Sequence, residues 1–149
     1  MEQFEKKVAR YIFNNRMKSD MLFYGAINGV DFYGNSYFFG RLEDNFFDKE
    51  KFKEVALQKI VKDFMINPSE DKLIKPDFYI TKGDNKLELA NFSISYDNDH
   101  QALEIVTCNY NYYKLFEKDC FYIYDTKNIL CLYDENKALI GFIAKVINH

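Results

Sequence analysis

The hydrophobic pattern is most regular at the end of the chain. Runs of β-branched and aromatic residues at 120–124, 129–133 and 138–147 are separated by two polar tetrads, Asp125–Asn128 and Asp134–Lys137. Short polar segments of this kind reverse a chain, so the pattern predicts a three-stranded antiparallel meander. Each tetrad opens with Asp, favoured at the first position of a type I turn, and carries an Asn near its end that tolerates left-handed backbone angles. The alternation assigns Phe121, Ile123, Leu130, Leu132, Ile140 and Phe142 to the core. The last run, Ala138 to Ile147, is expected to end the sheet as an edge open to a partner or to a second copy of the chain.

Upstream the period changes. Phe4, Val8, Tyr11 and Ile12 lie at i, i+4, i+7 and i+8, which predicts an amphipathic helix over 2–15. Strands follow at 21–27, 30–33 and 37–42, the first two joined by Asn28-Gly29, a dipeptide suited to a tight hairpin because both positions accept positive φ. Gly34-Asn35-Ser36 makes the next turn, and Gly40 marks a bulge or a close backbone approach. Asp48 reads as the N-cap of a second helix, with Phe47 and Phe52 spaced as a hydrophobic staple and a buried stripe of Phe52, Val55, Ala56, Ile60 and Phe64 that stops at Asn67-Pro68. Strands are then predicted at 78–81, 86–95 and 103–110, with a loop at 96–100 and a tyrosine-rich link at 111–116. The apolar phase slips from Leu87 and Leu89 to Phe92 and Ile94, which predicts a bulge near Ala90 and Asn91.

Together these elements make one α+β domain of 149 residues, two helices packed on antiparallel β-meanders, long enough to bury roughly two-thirds of its unfolded surface. Composition supports the sheet, since 18% of residues are aromatic. A net charge of −3 gives no general attraction to phosphate backbones or to a membrane surface, and no apolar run approaches a membrane span. With no apolar leader at Met1–Val8 either, the expected location is cytoplasmic. Cys108, Cys120 and Cys131 lack metal or redox spacing and read as reduced core thiols. The Lys, Asn, Ile and Tyr bias points to an AT-rich source such as a low-GC bacterium or its phages.

Motifs for chemistry are sparse. Gly34-Asn35-Ser36-Tyr37-Phe38 lacks the second glycine of a serine elbow, and the loop from Asp97 has Ala102 and Cys108 where a calcium loop needs Gly and Glu. Glycines at 25, 29, 34 and 40 punctuate strands and do not cradle a phosphate, and no cofactor is expected. Asp97, Asp99 and His100 are a candidate divalent-metal set, against the plainer reading of a polar hairpin tip. Lys6, Lys7 and Arg10 form a basic helix face, either a solvated surface or a contact for phosphate or an acidic partner. Tyr110, Tyr112 and Tyr113 with Lys114 are candidates for stacking bases beside a phosphate, against core packing.

Two stretches, Asn28 to Leu42 and Tyr110 to Phe116, resemble segments of a bacterial or phage sliding-clamp domain, although the second lacks the family's prolines and the chain covers about one clamp domain. The resemblance implies a DNA role for the Lys6, Lys7 and Arg10 face. The leading expectation is a non-enzymatic interaction protein, a small phage or mobile-element accessory or inhibitor that binds a host or phage protein such as a nucleic-acid-processing or defence nuclease. A clamp-like DNA-associated domain and a small metal-dependent hydrolase or nuclease are the alternatives. A homodimer through a sheet edge is compatible with the first two.

Overall fold

The computed structural model describes residues 3–15, 21–43, 47–95 and 103–146. Helix α1 (Gln3–Asn14) buries Phe4, Val8 and Ile12, the stripe its periodicity predicts, together with Glu5. Strands β1 (Phe23–Ile27) and β2 (Val30–Gly34) form the expected hairpin, with Asn28 and Gly29 at φ 51° and 80°. Strand β3 (Phe38–Arg41) follows on β2. The terminal meander is present as β8 (Tyr122–Asp125), β9 (Ile129–Tyr133) and β10 (Leu139–Ala144). Strand β4 (Lys53–Glu54) pairs parallel to β1, and together these make a mixed seven-stranded sheet in the order β4-β1-β2-β3-β10-β9-β8. A separate antiparallel sheet holds β5 (Phe78–Lys82), β6 (Glu88–Ser95) and β7 (Leu103–Asn109) in chain order.

The large sheet is apolar on both faces. One face meets α1 and the small sheet, in a cluster that includes Phe38, Phe92, Phe116, Leu130 and Ile143. The opposite face carries Phe32, Phe39, Tyr133 and Phe142 and is covered by Leu57, Val61 and Met65. Gly40 and Gly141 are register partners in β3 and β10, and a Cβ on either would come within 3.0 Å of the Phe116 ring. The close-approach reading of Gly40 is therefore the correct one: the paired glycines leave room for a phenylalanine.

Five local expectations are corrected. The helix expected from Asp48 is broken into a 3-10 turn at Lys49–Lys51, strand β4 and two single-turn helices, α2 (Leu57–Ile60) and α3 (Asp63–Ile66). Asp48 does cap, accepting the Glu50 N–H at 3.1 Å, and Phe47 does meet Phe52 edge-on. Continuation fails because Lys53 and Val55 donate their N–H groups to Leu22 and Tyr24 of the neighbouring β1 segment. Tertiary pairing there overrides helix propensity. The covered stripe becomes Leu57, Val61 and Met65, while Ile60 and Phe64 are exposed.

The bulge expected at Ala90 and Asn91 is absent, since β6 pairs without interruption on both sides; the register shift lies at Ile140 in β10. Among the predicted core residues of the meander Phe121 is 45% exposed, while Ile123, Leu130, Leu132, Ile140 and Phe142 are buried. Lys137, at φ 65°, takes the left-handed position of the second tetrad in place of Asn136. Finally, the terminal strand is not an edge: β10 lies between β3 and β9, so a homodimer through Ala138–Ile147 has no free ladder to use there.

Candidate functional site

Side chains alternate across a strand, so the register of the small sheet sorts its residues into two faces. Ala90, Phe92 and Ile94 of β6 with Val106 and Cys108 of β7 are buried in the core. The other face carries Tyr79 and Thr81 from β5, Leu89, Asn91 and Ser93 from β6, and Ile105, Thr107 and Asn109 from β7. None of these residues is charged, in a chain of which 29% is charged. An uncharged face carries no ionic desolvation cost when it is covered, and it offers nothing to a phosphate.

The polar atoms at its centre are already used. Asn91 donates its side-chain N–H groups to the Tyr79 carbonyl at 3.2 Å and the Thr81 hydroxyl at 3.0 Å. Its amide oxygen accepts the Thr107 hydroxyl at 2.9 Å, so a hydrogen-bonded ladder crosses all three strands. Asn91 and Thr107 are consequently buried, whereas Tyr79 and Ile105 beside them are 52% and 47% exposed.

At Asn109 this face runs into a groove of about 280 Å³, lined also by Tyr37, Leu87, Tyr112 and Val146. The groove forms where β7 meets the large sheet: Val146 donates its N–H to the Thr107 carbonyl at 2.8 Å, and Cys108 bridges to Lys145. Lys145 also borders it, but its ammonium is held by the Asp125 carboxylate at 2.7 Å and the Thr126 carbonyl at 2.8 Å. A second groove, of about 390 Å³, lies between the β1–β2 and β9–β10 hairpins and includes Arg41 and Lys137. Both cations are committed there, Arg41 to the buried Glu5 at 3.8 Å and to Glu43 at 3.5 Å, Lys137 to Glu70.

The residues predicted from sequence are scattered. Lys6 and Arg10 are exposed and Lys7 partly exposed on the outer side of α1. The tyrosine-rich link forms a single helical turn, α4 (Tyr110–Tyr113), capped by the Asn109 side chain accepting the Asn111 N–H at 2.9 Å. Tyr113 points into the core, edge-on to Phe92, and burial pushes its hydroxyl pKa well above the ordinary tyrosine range. It is withdrawn from the candidate surface by that burial. Tyr110 donates to the Glu117 carboxylate at 2.9 Å, and Lys114 is exposed. Tyr112 alone of the three lines the groove; its ring stacks on Phe38 and its hydroxyl accepts from Asn35 at 2.9 Å. No stacked series of open tyrosine rings is formed by these residues.

Asp97, Asp99 and His100 lie outside the described residues, and among the described residues no group of His, Cys, Asp and Glu is placed to hold a metal ion. Desolvation pushes the thiols of Cys108, Cys120 and Cys131 up to about 12, which keeps them protonated at neutral pH. No helix of the described chain is long and apolar enough to cross a membrane.

Sequence reasoning missed Tyr79, Leu87 and Ile105. For Leu87 a signal was present in the apolar phase slip, which records hydrophobic residues on both faces of the β6 segment and not a bulge; Tyr79 and Ile105, on β5 and β7, had none. No protein-family model, curated protein or solved structure matches the chain. The stretches Asn28–Leu42 and Tyr110–Phe116 touch each other through Asn35, Phe38, Tyr112 and Phe116.

Proposed function

We propose that this chain is a non-enzymatic contact protein that binds another protein through the outer face of the small sheet and the groove beside it. The observation that carries the reading is the uncharged face with Tyr79 and Ile105 projecting from a pre-formed polar ladder. Cores of protein–protein interfaces are depleted in charge and enriched in aromatic residues, and rigid tyrosines anchor them. The partner is a protein with a complementary apolar patch. Given the AT-rich compositional bias, the setting we favour is a phage or mobile-element accessory or inhibitor acting on a host nucleic-acid-processing or defence nuclease.

The test compares capture of one partner by several variants. Tyr79→Ala and Ile105→Asp are each expected to weaken its binding roughly 30-fold or more, while Lys6→Glu with Arg10→Glu leaves it unchanged. Retention through Tyr79→Ala and Ile105→Asp would remove this face from the function. The exposure of Lys6 and Arg10 one turn apart on α1 favours a second reading, a clamp-like DNA contact. That reading expects salt-sensitive DNA binding lost in Lys6→Glu/Arg10→Glu, and an absence of DNA affinity at low salt removes it.

A further inference from the structure

Strand β5 has an open side. Ser93 donates its N–H to the Asp77 carbonyl at 3.1 Å, and Gly83 donates to the Leu87 carbonyl at 2.7 Å, so the bonds to β6 bracket the strand at odd-numbered residues. In an antiparallel ladder, residues alternate between exchanging bonds with the neighbour and directing their groups away from it. Tyr79 and Thr81 therefore bond to β6, and Phe78, Ile80 and Lys82 direct their backbone N–H and C=O groups outward. No strand or loop among the described residues pairs with that side. Ile80 is 44% exposed, and Tyr79, Thr81 and Lys82 are exposed as well.

We propose that this edge takes a second copy of the chain, β5 against β5 about a twofold axis, joining the two small sheets into one continuous sheet. The inference rests on the proposed contact role only in what it adds to it, a doubled outer face. The occupant follows from self-complementarity. Outward groups sit on even-numbered residues of both copies, so an antiparallel pairing centred on Ile80 places Ile80 opposite Ile80 and Phe78 opposite Lys82. That register engages all three outward residues of each strand, about six backbone hydrogen bonds by the antiparallel pattern.

On the remaining side chains, Tyr79 falls opposite Thr81 and Asp77 opposite Gly83, so no like charges face each other. Centring the pair on Lys82 would set two ammonium groups directly opposite, and centring it on Phe78 would bring in Pro76, which has no N–H to donate. An isologous contact of this kind closes at two copies. The twofold would also set both outer faces on the same side of the joined sheet.

Sedimentation equilibrium of the full chain is expected to give a concentration-dependent mass rising to twice that of the monomer. Ile80→Pro removes an outward N–H without touching a bond to β6, and is expected to give a monomer with unchanged circular dichroism. As a second readout, Ile80→Cys is expected to form an inter-chain disulfide on oxidation, because directly opposed Cα atoms in a hydrogen-bonded pair lie about 5.5 Å apart, within disulfide reach. Lys82→Cys, displaced along the strand from its own copy, is expected not to. A monomer at every concentration, or a dimer that survives Ile80→Pro with no Ile80→Cys cross-link, overturns the proposal. Ile105→Asp, on β7 and away from this edge, is expected to leave the dimer intact while weakening partner capture, so failure of the dimer and failure of the contact face are read separately.

Discussion

At the residue scale, the tightest constraint is the glycine pair under Phe116. A Cβ on Gly141 would lie 2.6 Å from the ring and 2.8 Å from the Phe39 carbonyl oxygen, and neither neighbour is free to withdraw. Gly141→Ala is expected to cost about 1–3 kcal/mol of stability by overpacking, measured by urea unfolding, and Phe116→Leu in the same chain should restore part of it. The buried thiols make a pH prediction. Their folded pKa values are raised to about 12 from an ordinary 9.0, so their stabilising contribution is complete below pH 9.0 and is lost as the pH rises toward about 12. Tyr113 and Tyr133, also raised by burial, act in the same direction. The melting temperature is therefore expected to fall on titration above pH 9.0, and a flat profile in that range would contradict the burial of these groups. The glycine pair lay only partly within reach of sequence: Gly40 reads there as either a bulge or a close approach, and nothing in a linear pattern shows that Gly141 stands opposite it.

At the element scale, short-range periodicity served well where an element's partners do not compete for its backbone. Helix α1, the Asn28-Gly29 hairpin and the terminal meander follow that rule. It failed from Asp48 to Ile66, where apolar spacing of helical type is divided between an edge pairing with β1 and two isolated turns. Val61 at φ −94°, ψ 112° and Lys62 at φ −85°, ψ 164° are extended at the centre of that region. Lys62→Pro separates the two descriptions. An extended residue ahead of proline and a φ near the proline range make the substitution compatible, with a change expected within about 1 kcal/mol of wild type. A continuous helix would instead lose about 3 kcal/mol or more to a central proline. The edge of the fold was misplaced for a related reason. Chain order suggested that the last strand was outermost, whereas β10 inserts between β3 and β9, so that the large sheet ends at β4 and β8 and the small sheet at β5 and β7.

Across the whole molecule, the division into two sheets leaves the small sheet an open outer face, the surface proposed for contact. The large sheet has both faces covered, by α1 and the small sheet on one side and by the segment from Leu57 to Met65 on the other. Among the described residues the small sheet is covered on one face only, and Tyr79, Thr81, Leu89, Asn91, Ser93, Ile105, Thr107 and Asn109, which its strands place on the outer face, are uncharged. That asymmetry separates the proposed protein contact from a DNA contact, since the exposed basic residues Lys6 and Arg10 belong to α1 and not to this face. The site was the least legible part of the sequence because its residues come from three strands whose spacing matches no motif, and because apolar residues on the outside of a sheet read as core until the register is known. Hydrogen–deuterium exchange on the chain with its captured partner is the most direct measurement of this account. Slowed exchange in the 78–82 and 103–109 segments, with α1 unchanged relative to the free protein, is the expected result; protection confined to α1, with the small sheet exchanging as in the free protein, would contradict it.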